Sequence, residues 1–193
     1  MTAVTWSDRE RELLAVTLRL LQEHGYDRLS LDEIAAVGRA SKATMYRRWP
    51  TKAELVLAAF IEGLSESAVP PDTGSLRGDL IAIGDTVCQE SKEHASTLRA
   101  VLGEVSRNPA LNDAMQQQLF DQRKAMMNQV LRRAVERGEI DACEIKNEFW
   151  DLLPGYVIYR TVIQNRLPSR RTVRTLVDCV IMPSLTRSVG SAP

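Results

Sequence analysis

The sequence predicts an all-α chain of about nine helices, and three observations carry that expectation. Apolar residues recur at three- and four-residue spacing along most of the length, and no stretch alternates with the period of two that a half-buried strand needs. Glycine and proline fall mostly between the periodic runs, where they punctuate helices. No internal repeat is present, and 193 residues at 44% hydrophobic suffice for two modest cores or one extended one.

The first helix opens on a capping box, Ser7 with Glu10, and carries Leu13, Leu14, Val16, Leu18, Leu20 and Leu21 as a broad apolar stripe up to His24-Gly25. A second begins at Ser30, where Glu33 stands three residues on and Leu29 and Ile34 are spaced as a hydrophobic staple. It ends near Val37, and Gly38, Arg39, Ala40 and Ser41 interrupt the pattern before Ser41 caps a third helix. Pro50 cannot continue that helix and biases Trp49 away from helical geometry, after which Thr51 and Glu54 form a further capping box. Two short helices joined by a few residues have the spacing of a helix-turn-helix. Pro70-Pro71-Asp72-Thr73-Gly74 is the clearest break between long helical patterns, and beyond it helices are expected over 76–93, 95–107, 110–137, 144–166 and 170–187. The expected organisation is a three-helix head over 7–66 with the helix-turn-helix at 30–49, a linker at 67–78 and a larger helical domain over 79–193.

On the third helix Met45 and Trp49 lie one turn apart as inward anchors, while Ala43 and Arg47 face the other way, flanked by Thr44 and Tyr46. From Arg39 to Lys52 the chain places Arg39, Lys42, Arg47, Arg48 and Lys52 with no Asp or Glu, although its formal net charge is zero. Basicity placed in this way is what phosphate neutralisation uses. Arg9 and Arg11, near the start of the first helix, either reach a phosphate or form a solvated helix end.

The run Ile34-Ala35, a short turn, then Ser41-Lys42-Ala43-Thr44-Met45-Tyr46-Arg47-Arg48-Trp49-Pro50-Thr51-Lys52-Ala53-Glu54-Leu55 resembles the DNA-binding motif of the TetR family of bacterial transcription regulators. The resemblance implies that Lys42, Ala43 and Tyr46 sit at bases or the groove floor, and that Ser30, Thr44, Arg47, Arg48 and Lys52 contact the DNA backbone. The turn departs from the pattern: the family commonly has Ala-Gly-Val where this chain has Gly38-Arg39-Ala40. If the middle position needs a positive φ, Arg39 carries strain there and gains a reach towards a phosphate; otherwise Gly38 absorbs the turn one residue early.

Sequence is less specific for the second domain. Asn108-Pro109 opens a helix in which Met115, Met126 and Met127 either line a ligand pocket or fill core. Trp150, Tyr156 and Tyr159 surround Pro154-Gly155, which should kink its helix and either wall a pocket or adjust packing. The last segment carries Val173, Leu176, Val177, Val180 and Ile181, a stripe that needs a partner within the chain or in a second copy. The resemblance implies the second copy: a homodimer on a palindromic operator of double-stranded DNA, released by an apolar or amphipathic small-molecule effector.

No GxSxG, HExxH, P-loop or GxGxxG motif is present, and His24 and His94 stand apart, so an enzyme is not expected. Cys88, Cys143 and Cys179 occur singly, without metal spacing, as reduced thiols would, and no cofactor or metal is implied. No signal-peptide pattern or membrane-length apolar run is seen, and a cytoplasmic protein without a membrane partner is expected. The rival class is a DNA-binding regulator or architectural protein without ligand control, resting on phosphate contacts alone.

Overall fold

The computed structural model describes residues 6–64, 69–141 and 149–186, with backbone alone at 149 and 150. The described residues are all-helical: α1 (Asp8–Arg28), α2 (Leu31–Val37), α3 (Lys42–Arg48), α4 (Lys52–Gly63), α5 (Leu76–Glu93) and α6 (Ala95–Val105) come first. Next, α7 (Pro109–Met115) runs through a π-helical segment, Gln116–Phe120, into α8 (Asp121–Glu136). The helix α9 (Phe149–Ile158) continues as a π segment, Tyr159–Ile163, and α10 (Arg170–Leu176) passes through Val177–Ile181 into α11 (Met182–Thr186).

The chain forms two compact units, 1–67 with 94–122, and 68–93 with 123–193. In the first, Leu13, Leu14, Leu20 and Leu21 of α1 meet Ile34, Met45, Trp49 and the buried run Leu55 to Phe60. Val101 and Val105 of α6 and Leu111 and Met115 of α7 belong to the same core. The head expected to end at 66 is therefore a smaller set than its packing unit, because α6 and α7 place their apolar faces against α1 and α4. The sequence gap between α4 and α6 hides that association.

In the second unit α5 packs against α9 and α10, and Leu76, Leu80, Ile83, Met126, Val130, Leu153, Val173, Val177 and Leu185 share one core. Gly84 lets α10 approach, since a Cβ there would lie 2.2 Å from Val173 Cγ1. Charged side chains are also drawn in. Asp79 is fully buried, its Oδ1 accepting from Thr73 N (2.7 Å) and Thr73 Oγ1 (2.8 Å), with Arg137 Nη2 at 3.5 Å from Oδ2. Arg133 reaches Asp72 at 3.0 Å and Glu139 Oε2 accepts from Leu76 N at 2.8 Å, so the end of α8 is tied to the start of α5.

Two local expectations are corrected. Glu33 does not complete a capping box: Ser30 Oγ accepts from Asp32 N at 3.2 Å, while Glu33 turns to His24 Nε2 at 3.3 Å. The helix also continues through Pro154, and the irregularity falls later, in the π turn where Gln164 N donates to Tyr159 O at 3.0 Å.

Candidate nucleic-acid interface

The recognition element is built from strong local signals. Ser41 Oγ accepts from Thr44 N at 3.1 Å and lies 2.8 Å from Thr44 Oγ1, so α3 begins on a satisfied cap. Met45 and Trp49 are buried and fix its inner face, and Trp49 leaves the helix with an extended backbone ahead of Pro50. Thr51 Oγ1 then accepts from Glu54 N at 3.1 Å and starts α4. A seven-residue helix is too short to persist by propensity. Its caps and its two buried anchors keep it in place.

The turn resolves the alternatives left open by sequence. Gly38 has an ordinary φ of −76° and Arg39 takes the left-handed value of 48°. Arg39 N donates to Ala36 O (3.2 Å) and Ala40 N to Ala35 O (2.9 Å), the pair of bonds that closes a helix around a left-handed residue. Glycine stands one position early for a packing reason: a Cβ on Gly38 would lie 2.5 Å from Leu13 Cδ1. Arg9 Nη2 donates to the carbonyl of Gly38 and, at 2.8 Å, to that of Arg39, while its Nη1 is held by Glu12 at 2.7 Å. Arg9 thus braces the turn, and Arg11 lies against Asp8 and Glu62, both at 3.4 Å.

The predicted DNA-facing residues divide into two groups. Ala43, Tyr46, Arg47 and Arg39 are exposed, Tyr46 to 48%, and neither Arg39 nor Arg47 has a side-chain partner among the described residues. The others are engaged within the chain. Ser30 and Thr44 serve caps, Lys42 Nζ meets Asp32 Oδ1 at 2.5 Å, and Lys52 Nζ sits 4.5 Å from the centre of the Tyr26 ring. Arg48 Nε donates to Glu10 Oε1 at 2.8 Å and its guanidinium lies 4.6 Å from the Trp6 ring centre. The Lys42–Asp32 pair is exposed on both sides and worth about 0.2–1 kcal/mol, so a phosphate can displace it. Arg48 is held more firmly, by an ion pair and a ring together.

Glu10 is the centre of that second set. The Ser7 N–H, donating at 2.8 Å, holds its carboxyl below the usual carboxylate value, with the Ser7 hydroxyl and Arg48 adding to the effect. Sequence marks Ser7 and Glu10 as a capping box but gives no sign that Glu10 reaches Arg48, or that Trp6 stacks 5.6 Å from Trp49. Those contacts join residues about forty positions apart in the chain and have no local periodicity to betray them.

The C-terminal candidates fare differently. Met115 belongs to the first unit's core, Met126 to the second's, and the half-buried Met127 packs against the latter. Tyr156 is half-buried and Tyr159 is 49% exposed, its hydroxyl accepting from Gln164 Nε2 at 3.1 Å, whereas the side chain of Trp150 lies outside the described residues. The stripe offered as a dimer face is split: Val173, Val177 and Ile181 are buried in their own chain's core, Leu176 is half-buried and packed against it, and Val180, 42% exposed, is outward. The first three, four residues apart, share the second unit's core, with Val173 seated against Gly84. Cys88 is buried, which pushes its thiol pKa up, Cys179 is exposed, and Cys143 lies outside the described residues. Among the described residues no group of His, Cys, Asp and Glu is arranged to hold a metal, and no helix is long and apolar enough to cross a membrane.

A capped, anchored short helix presenting Ala43, Tyr46 and Arg47 to solvent behind a braced turn defines a helix-turn-helix DNA-binding regulator. Residues 13–59 match the family model for bacterial regulatory proteins of the tetR family, and residues 70–180 match that for the Tetracyclin repressor-like C-terminal domain. The chain belongs to the TetR family of transcriptional regulators. It is 65% identical over 185 residues to an uncharacterized HTH-type transcriptional regulator of Mycobacterium tuberculosis (strain H37Rv), covering 96% of this chain and 92% of the relative. It is 35% identical over 176 residues to the DNA-binding transcriptional repressor TetR of Mycobacteroides abscessus, covering 90% and 92%. Among solved structures, the TetR family transcription regulator SCO0332 superposes with a TM-score of 0.78 at 26% identity, over 97% of this chain and all of that one. Regulators of this family bind DNA operators and form dimers, and they are not enzymes.

Proposed function

We propose that the protein is a homodimeric repressor that reads a palindromic operator through Lys42, Ala43 and Tyr46, with Ser30, Arg39, Thr44, Arg47 and Lys52 on the phosphates. The observation that carries this reading is the exposed Tyr46–Arg47 face of α3, basic and unpaired beside buried Met45 and Trp49. Arg48 is given a different part, holding the end of α3 to Glu10 and Trp6. Repression is supported by the 35% identical relative named as a repressor. The dimer surface is assigned to Leu176 and Val180, to which exposed Tyr159, Ile163 and Leu167 add apolar area. Release is assigned to a small apolar or amphipathic effector in the C-terminal domain, near Tyr156, acting by its different affinity for the two forms. The working place of such a regulator is the cytoplasm.

Selection of bound duplexes from a random pool tests the operator directly. Enrichment of an inverted repeat, with half-site centres about one or more helical turns of 34–36 Å apart, is expected for a two-fold dimer. Recovery of unrelated sequences would overturn the operator reading and favour binding through phosphates alone.

A further inference from the structure

We propose that Arg9 and Arg39 work as a pair at the helix-turn-helix turn. Arg9 holds the left-handed turn from inside the protein, and Arg39 uses that position, which glycine would fill without strain, to set a cation against a DNA phosphate beside α3. The proposal rests on the DNA-binding reading above and deepens it.

The starting observation is a mismatch between residue and backbone. A φ of 48° brings the Cβ of an L-residue too close to its own carbonyl, and glycine is the residue that escapes this. The chain has a glycine at the adjoining position, yet uses it to let α2 pass Leu13. The Arg39 side chain offsets none of the resulting strain, because it is exposed and has no hydrogen bond, ion pair or ring contact among the described residues. The compensation lies in the backbone. Arg39 N and Ala40 N are both satisfied, and Arg9 gathers the carbonyls on either side of the strained bond. Strained residues of this kind persist where their surroundings over-determine them, and they cluster where strain serves a site. The site is at hand: Ala40 and Ser41 alone separate Arg39 from α3, and Lys42, the next cation, must first leave its exposed ion pair with Asp32. Among the described residues Arg39 is the cation at that end of the helix with no ion pair in the free protein.

The test uses the full chain, urea unfolding, and binding to a random-sequence duplex over a salt series. Arg39→Gly should unfold at higher urea, with a folding equilibrium constant raised about fivefold. It should also bind more weakly, its slope of log affinity against log salt lowered by about 0.9 for one lost phosphate contact. Arg39→Lys should keep the slope without the gain in stability. Arg9→Lys removes the forked donor and should lower the unfolding midpoint, and it should do so less when combined with Arg39→Gly, because glycine needs no brace. An unchanged slope in Arg39→Gly overturns the phosphate contact, and unchanged stability overturns the strain. Equal effects of Arg9→Lys in both backgrounds overturn the pairing. If the wild-type chain binds no duplex in a salt-dependent way, this proposal and the DNA-binding reading fall together; the other outcomes leave that reading standing.

Discussion

In the first unit α1, α2, α3 and α4 each begin on a side-chain cap from Ser7, Ser30, Ser41 or Thr51, and each cap accepts a backbone N–H two or three residues ahead. In the second unit the start of α5 is fastened by Glu139, from sixty-three positions away, and Asp79 is buried against Thr73 and Arg137. Helical runs pass through π segments in both units, at 116–120 in the first and at 159–163 and 177–181 in the second. The first four helices all begin on neighbours in sequence, whereas α5 adds to its local Ser75 contact a partner remote in sequence; α10 again begins on a local cap, Ser169 accepting from Thr172 N. A short recognition helix has to keep its shape while its outer face is left free for DNA, and a cap at its start does that without engaging the outward Tyr46 and Arg47. A helical core with no such duty can be closed by buried charge, at the risk that loss of one partner strands the other.

The largest effect that can sharpen this contrast is Asp79→Ala. It removes the acceptor for Thr73 N and Thr73 Oγ1 together with the charge beside Arg137, and should destabilise the chain by about 3 kcal/mol or more in urea unfolding. Ser41→Ala, the matching local change in the head, should cost about 1 kcal/mol. If the two losses are equal, the distinction between the units is wrong. Gly38→Ala comes next, at about 1–3 kcal/mol, because the new methyl would lie 2.5 Å from Leu13 Cδ1 and 2.8 Å from the backbone carbonyl of Ile34. It should weaken DNA binding as well, since the same collision displaces α2; a variant with full stability would show that the glycine serves no packing purpose.

The smallest effect concerns acid. The folded-state pKa of Glu10 lies below its ordinary value of 4.5, first through the Ser7 N–H and then through the Ser7 hydroxyl and Arg48. The unfolded chain therefore binds the proton more readily. Stability from Glu10 is fully present above about pH 4.5 and is lost as pH falls through the lower folded value. Glu10→Gln should flatten that part of the stability profile in acid while leaving neutral-pH DNA binding nearly as it was. A profile of unchanged steepness would remove Glu10 from the account.

The legibility of the sequence follows the same division. Ser41, Pro50, Thr51 and the Met45–Trp49 spacing place α3 and the start of α4 to within a residue, because cap, breaker and anchor all act over one turn. The C-terminal helices are also legible as rods: the expected 76–93 is the observed Leu76–Glu93, and 170–187 encloses α10 to α11. Their faces are not. Val173 and Val180 belong to one amphipathic stripe in sequence, yet Val173 is covered within the chain, against Gly84 and the second unit's core, while Val180 is left outward. In the head the same limit appears once, at Glu33, where a capping-box pattern is outbid by His24 arriving from α1. The turn shows what sequence can pose but not settle: Gly38-Arg39 admits either position for the positive φ, and in the structure Arg39 takes it while Gly38 lies against Leu13, twenty-five residues earlier.

Fluorescence anisotropy of a selected operator duplex against a scrambled one, across a salt series, with wild type and Tyr46→Ala compared, tests the central claim most directly. The account predicts tight, sequence-selective binding by the wild-type chain, a loss of selectivity in Tyr46→Ala, and an unchanged dimer by sedimentation. Equal affinity of Tyr46→Ala for both duplexes at the wild-type level, or loss of the dimer with the same substitution, would contradict the placement of the recognition face on α3.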